Sequence, residues 1–234
     1  MLLRLSGRSL LVDAVKPVKQ HYIQASVQIV LYAYWGYMWL LQPDGSRPMV
    51  EQAPLVLAQF FYLYAFDALW SWTRGRAWRF GSGPAPIVLS TNLFIWFRDE
   101  WFVWQFAMIS AGLLGKEFLR WTKDGRKTHI FNPSGFGLAC AATVLIATGT
   151  TDLTWAKPLS TTLEVKHIFV VLFVLGLVVQ YFFAVTLMTF AAALAMIVSN
   201  LLYTEITGVY LFASTNLPAA AFLGLLLLMT DPST

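Results

Sequence analysis

Long apolar runs are the feature that most restricts what this chain can fold into. Segments 22–41, 187–203 and 210–229 contain no charged residue. Helices that are apolar on every side would expose hydrophobic surface to water in a soluble protein, whereas a lipid bilayer solvates such surface. The composition agrees, since 58% of the residues are hydrophobic and 12% are charged. We therefore predict an all-α integral membrane protein.

Windows of about twenty apolar residues predict about eight transmembrane or partly re-entrant helices. They are 22–41, 55–72, 86–97, 101–119, 135–147, 167–183, 187–203 and 210–229. Segment 86–97 is short and contains Ser90, Thr91 and Asn92, so we expect it to be re-entrant or broken. We predict one polytopic membrane domain over residues 22–234. Residues 1–21 are either a basic amphipathic surface segment or a frayed basic tail.

The distribution of Lys and Arg predicts the orientation, because basic loops stay on the cytoplasmic side. With eight crossings and a cytoplasmic N-terminus, twelve of the sixteen basic residues fall inside. The inside set is Arg4, Arg8, Lys16, Lys19, Arg74, Arg76, Arg79, Lys116, Arg120, Lys123, Arg126 and Lys127, against Arg47, Arg98, Lys157 and Lys166 outside. Topology thus explains the basic charge, and no nucleic-acid partner is expected.

Cysteine usage excludes several kinds of redox site. A single cysteine, Cys140, provides no disulfide, no iron–sulfur ligation and no c-type haem attachment. Its small, apolar neighbours indicate packing instead of a reactive thiol. We predict no metal site, and the N-terminus has no clear signal peptide.

The densest charge lies in "GKEFLRWTKDGRKTHIFNPSGFGLAC", residues 115–140. Lys116 and Arg120, one helical turn apart, are expected to reach the headgroups at the end of a span. Topology does not explain "HIFNPSGFG", where Pro133 fixes its own backbone angle and Asn132 is biased to an extended or turn conformation. Such a turn at a membrane boundary is typical of backbone that lines a cavity or is buried in protein.

This stretch resembles a known family of membrane proteins. The pattern K-x-x-x-R followed by H-I-F-N-P-S-x-F-G, together with the closing "TDPST", is similar to the NqrB/RnfD family. Its members are membrane components of Rnf-type electron-transport complexes and of sodium-pumping NADH:quinone oxidoreductases. The likeness runs from about residue 55 to the C-terminus. Within the family it is nearest to the short relatives associated with enediyne biosynthesis clusters.

The resemblance implies two pseudo-repeated halves whose short, broken helices meet at a central cavity, with flavin and quinone chemistry in the energy-converting members. The bundle is expected to lack the last spans of the family. The residues expected to bind a cofactor are Lys116, Arg120, Arg126, His129, Asn132, Ser134, Thr230 and Asp231. The cations would face a phosphate or an anionic reduced ring, and Asn132 and Ser134 would supply hydrogen bonds.

One departure from the family concerns covalent flavin. Members that carry covalently attached FMN have an S-G-A-T type sequence, whereas this chain has only "TGTTDLTW" and "PLSTTLE". We therefore expect no covalent FMN at Thr161 or Thr162. Noncovalent flavin or quinone remains compatible with the pattern.

Other polar residues have simpler interpretations. An acid within a membrane segment indicates function by default, but Asp67 lies near Arg74 and Arg76, and an ion pair with them is expected. His21 and His167 each begin a span and are expected to anchor it at the interface.

Three functions stay open at this point. The first is a membrane subunit of a multi-protein electron-transfer complex, not an enzyme by itself, in the bacterial inner (cytoplasmic) membrane. The second is a noncatalytic accessory subunit packed among other membrane subunits and lipids in a large photosynthetic or respiratory complex. The third and more distant is a transporter or channel, which rests on broken helices alone.

Overall fold

The computed structural model describes residues 19–40, 48–76, 78, 80–81, 83–123, 125–156, 167–211 and 219–227, and this part of the chain is mostly helical. The helices are α1 (Lys19–Leu40), α2 (Pro48–Glu51), α3 (Ala53–Thr73), α4 (Ala85–Asn92), α5 (Val103–Phe118), α6 (Pro133–Thr148), α7 (Ile168–Phe183), α8 (Thr186–Thr207) and α9 (Ala219–Leu227). Contacts divide the described residues into two compact units, with the boundary between Thr154 and Trp155. The single polytopic domain over residues 22–234 and the central cavity between halves stay predictions.

Every apolar run that the sequence analysis singled out contains a helix. In the last run, Tyr210 and Leu211 are not helical, and α9 covers Ala219–Leu227. Among the described residues, two helices, α3 and α8, are by length and composition long and apolar enough to cross a membrane. The apolar helices α6 and α7 have 16 residues each, about 24 Å at 1.5 Å per residue, against a hydrocarbon core of roughly 30 Å. The number of crossings therefore stays a prediction.

The first unit is built around α4, a helix that ends partway along the predicted segment 86–97. Helix α4 has eight residues, of which seven are buried, and the chain continues through the buried residues Ile95, Trp96 and Phe97 without helical structure. Helices α1, α3, α5 and α6 all contact α4. The predicted break in segment 86–97 is thus confirmed. Buried backbone groups that such a break releases need hydrogen-bond partners within the protein.

Contacts at the two ends of α5 show how α3 and α5 are oriented relative to each other. At the C-terminal end of α5, Glu117 accepts a 3.0 Å hydrogen bond from Arg76, which follows α3. Before the N-terminal end, Asp99 accepts a 2.8 Å bond from Gln52, which precedes α3. Helices α3 and α5 consequently run parallel, and the segment between them must return along the whole length of the first unit.

The fit between α5 and α6 depends on two glycines. A Cβ atom on Gly112 would lie 2.5 Å from the carbonyl oxygen of Pro133, and one on Gly137 would lie 2.6 Å from that of Met108. Backbone oxygens cannot give way as a flexible side chain can. Glycine at both positions therefore lets the two helices approach closely.

A short antiparallel hairpin departs from the all-α prediction. Strands β1 (Arg120–Lys123) and β2 (Arg126–His129) pair with Trp121 opposite Thr128. Gly125 has φ +75°, which glycine adopts without strain. The Asp-Gly dipeptide inside "TKDGRKT" is a strong hairpin signal that could have predicted this element.

The second unit contains α7, α8 and α9. Helices α7 and α8 are joined at Ala184, whose φ of 54° permits an abrupt turn, and the Gln180 side chain donates a 2.8 Å hydrogen bond to Thr189 across that turn. Helix α9 packs on α7, where Leu226 lies against Gly176.

Candidate functional site

The C-terminal end of α5 brings several predicted site residues to one end of the first unit, although not in the roles expected of them. Arg120 donates from Nε to the Lys116 carbonyl at 2.8 Å and also bonds the Glu117 carboxylate. Glu117 bonds Arg76 as well. Arg120 is therefore tied to its own helix end, where a cation is favourable, and it is not directed at a ligand.

Asn132 and Ser134 form a helix cap. The Asn132 side-chain oxygen accepts hydrogen bonds from the Ser134 and Gly135 backbone N–H groups at 2.9 and 3.2 Å, and from the Ser134 hydroxyl at 2.6 Å. These bonds satisfy backbone donors that the first turn of α6 would leave without partners. The motif that was expected to bind a cofactor thus fixes the start of α6.

Lys116 differs from its neighbours. Within the described part of the chain its ammonium group has no hydrogen-bond or ion-pair partner, and the residue is half-buried. It lies close enough to His21 and Asp67 to affect the protonation of both. Lys116 is therefore a predicted cation that remains available to an anionic ligand.

His21 lies close to both Lys116 and His129. The Nδ1 atom of His129 hydrogen-bonds the Phe131 carbonyl oxygen at 2.9 Å. The His21 ring lies beside Gly83, where a Cβ atom added to the glycine would be 3.4 Å from the ring. Burial, then Lys116 and His129, lower the pKa of His21, which precedes the apolar run of α1. The sequence analysis expected His21 to act as an interfacial anchor. No local signal relates it to residues about a hundred positions away.

A cavity of about 160 Å³ lies beside Lys116. Its polar lining consists of Asp67, Lys116 and Glu117, and its apolar lining is Phe66, Trp70, Pro84, Ile87, Leu113 and Leu114. The Asp67 carboxylate accepts a 2.8 Å hydrogen bond from the Trp78 indole. This volume has room for a compact polar group but not for a whole flavin.

The expected ion pair between Asp67 and Arg74 or Arg76 is wrong. Asp67 bonds Trp78, and Arg76 pairs with Glu117. Arg74 lies over the rings of Trp70 and Phe118, at 5.0 and 5.5 Å from their centroids. Aromatic faces attract a guanidinium without any carboxylate.

For the other predicted site residues the structure describes few contacts. The backbone of Arg126 lies in β2, opposite Lys123. Thr230 and Asp231 lie outside the described residues. No cluster of three or more His, Cys, Asp and Glu side chains that could hold a metal ion occurs among the described residues.

A larger, apolar groove of about 510 Å³ lies between α5 and α6 and reaches the opposite end of these helices. Small side chains line it, Ala107, Ala111 and Ala141 among them, and Trp101 and Trp104 flank it. The groove can hold a hydrocarbon chain, but its lining contains no charged residue. Cys140 contributes to the lining and is half-buried, so its predicted packing role fits this location.

No family model, no curated protein and no solved structure matches the chain.

Proposed function

We propose that the chain is a multi-pass membrane subunit of an electron-transfer complex, of the kind that its two motifs resemble, in the bacterial inner membrane with its N-terminus in the cytoplasm. Membrane embedding is supported by the apolar surface of its helices. In α8, Leu187 and Ile206 are each 82% exposed, and only Thr189 and Asn200 are buried. A helix with this surface needs lipid or partner helices around it.

The orientation is supported by the charges at the two ends of α5. Arg74, Arg76 and Lys116 lie at the end that we assign to the cytoplasm, as the positive-inside rule requires. Asp99, Glu100 and Asp152 lie towards the other end, where Arg98 donates to the Asp152 carbonyl at 2.7 Å.

The observation that carries the redox proposal is Lys116, available beside a cavity and close to His21. A cation in this position can stabilise the anionic form of a reduced ring or a phosphate. The small cavity fits one edge or one charged group of such a molecule, with the remainder held noncovalently outside it. Other membrane subunits would then deliver and accept the electrons.

The test is an absorption and fluorescence spectrum of the chain purified in mild detergent with its co-purifying subunits. We expect flavin or quinone to be present in the wild type and depleted in Lys116→Ala, whereas Arg98→Ala at the other end should retain it. The cofactor should be released by denaturation, and no fluorescent flavin band should remain on a denaturing gel. A complex without any bound cofactor would contradict the redox proposal.

A noncatalytic accessory subunit is the second candidate. It is favoured by the contacts of three residues that were expected to bind a cofactor. Arg120, Asn132 and Ser134 all form hydrogen bonds that fix local structure. Under this alternative, Lys116→Ala would leave the content of every cofactor in the complex unchanged. Deleting the chain would instead lower the yield of the assembled complex.

A further inference from the structure

The β1–β2 hairpin has a basic surface that the proposed cofactor pocket does not use. Its ten residues, 120–129, include four Lys or Arg and one acid, Asp124. Arg120 is engaged with Glu117, but Lys127 pairs in register with Thr122 and is exposed. A two-stranded ribbon of this charge repels itself unless anions or water surround it.

The base of the same hairpin exposes large apolar side chains. Trp121 is 51% exposed and Phe118 is 60% exposed, while Ile130 and Phe131 are about half exposed. The Ile130 N–H donates to the Leu119 carbonyl at 2.9 Å, which extends the pairing and brings these residues together. A hairpin that projected only into water would gain nothing from exposing them.

We propose that this hairpin binds the headgroups of anionic phospholipids, an inference that rests on the proposed membrane location. The indole of Trp121 lies at headgroup depth, where amphipathic rings are favoured. Lys127 contacts lipid phosphates, and the exposed apolar side chains at the base face the acyl boundary. Each added Lys or Arg near an anionic surface strengthens such binding by about fivefold.

Charge alone would suit an acidic protein surface equally well. The apolar base distinguishes the two, because Phe118, Ile130 and Phe131 lie where the hairpin leaves the end of α5. A partner that recognised only the charged strands would leave these side chains uncovered. A lipid surface covers both parts at once.

The test compares the melting temperature of the full chain in neutral detergent micelles that contain phosphatidylglycerol or, at the same mole fraction, phosphatidylcholine. We expect a higher melting temperature with phosphatidylglycerol. The double variant Trp121→Ala/Lys127→Gln should lose most of this difference and keep the wild-type melting temperature with phosphatidylcholine. Thr122→Ala, on the same hairpin and exposed, is the matched control and should retain the difference.

Several outcomes would overturn the inference. Equal melting temperatures in the two lipids, or a phosphatidylglycerol effect that survives in the double variant, would do so. So would an equal effect from inorganic phosphate, or from a soluble poly-glutamate peptide without lipid, since the site would then be a general anion site or a protein interface. If the double variant unfolds, Lys127→Gln alone and a count of retained phosphatidylglycerol by native mass spectrometry replace it, and unchanged retention contradicts the inference.

Failure of the underlying function gives a different result. If the chain is not embedded, alkaline carbonate will release it from native membranes. An embedded chain that shows no preference for phosphatidylglycerol refutes only the hairpin site.

Discussion

Asn92 and Gln59 exchange a reciprocal pair of side-chain hydrogen bonds in the middle of the first unit. The Asn92 amide donates to Gln59 at 2.6 Å, and the Gln59 amide donates back at 3.2 Å. Asn92 also donates to the Val88 carbonyl and accepts from Gln105, so its side chain makes all four bonds available to an amide. Gln105 in turn accepts from the Phe97 N–H, which ties the broken segment to α5.

The first prediction is that Asn92→Leu destabilises the protein strongly, because it removes both hydrogen bonds of the buried Gln59 side chain and one of those that the buried Gln105 side chain makes. We expect a loss of about 1–3 kcal/mol for each unsatisfied buried group. Gln59→Leu in the same background should cost much less than it does alone, and thermal unfolding in detergent measures this coupling. Thr143→Ala, which removes an exposed intrahelical bond, is the control. Additive effects of the two substitutions would show that the network is not cooperative.

The second prediction concerns the glycine contact between α5 and α6. Gly112→Ala and Gly137→Ala should each cost about 1–3 kcal/mol, because the new methyl group meets a backbone oxygen. Gly36→Ala is the matched control, since a Cβ there meets nothing within 4 Å, and it should be neutral or slightly stabilising. Unfolding temperatures of the three variants decide the matter. A neutral Gly112→Ala would mean that the two helices do not approach so closely.

The third prediction separates capping from ligand binding at Asn132. Asn132→Ala should lower stability by about 1 kcal/mol, and Asn132→Asp should restore it, because aspartate caps a helix equally well. The double variant His129→Ala/Asn132→Ala should reduce the yield of assembled complex or abolish bound cofactor. Wild-type yield and cofactor content in that variant would show that the turn is a charged hairpin junction alone.

The fourth prediction is a pH dependence that arises from His21. The pKa of His21 is lowered in the folded state by burial and by Lys116 and His129, so the unfolded chain binds a proton more readily than the folded one. Stability should therefore fall as the pH drops below about 6.5, the ordinary histidine value. His21→Gln should remove this part of the dependence, and Lys116→Met should weaken it. Melting curves between pH 8 and 5.5 that are identical for wild type and His21→Gln would contradict the assignment.

The fifth prediction is topological. In a Cys140→Ser background, a cysteine at Arg126 should be labelled only from the cytoplasmic side, and one at Glu100 only from the outside. Labelling of intact cells and of inverted vesicles with an impermeant maleimide measures this. Modification at Arg126 from the outside would refute the orientation.

The apolar runs were sufficient to predict helices, since any run of this length must form its backbone hydrogen bonds within itself if it is to avoid water. The break in segment 86–97 was also predictable, because Ser90, Thr91 and Asn92 interrupt a short apolar run. The hairpin was missed because its charge was attributed to topology, although Asp-Gly was present in the sequence. The cap was not predicted because Asn-Pro-Ser has the same donors and acceptors whether it binds a cofactor or the first turn of α6.

By itself, the sequence determined which stretches are helical and where the positive charge is concentrated, because both depend on residues close together along the chain. Tertiary structure alone decided the partners. It gave different roles to Lys116, which stays available beside a cavity, and Arg120, which pairs with Glu117. It also brought His21 close to Lys116. The tertiary structure also joined the side chains of Gln59, Asn92 and Gln105 into one hydrogen-bond network. Hydrogen bonds and ion pairs form over a few ångströms, so which of several similar side chains makes them is fixed only once distant helices have packed.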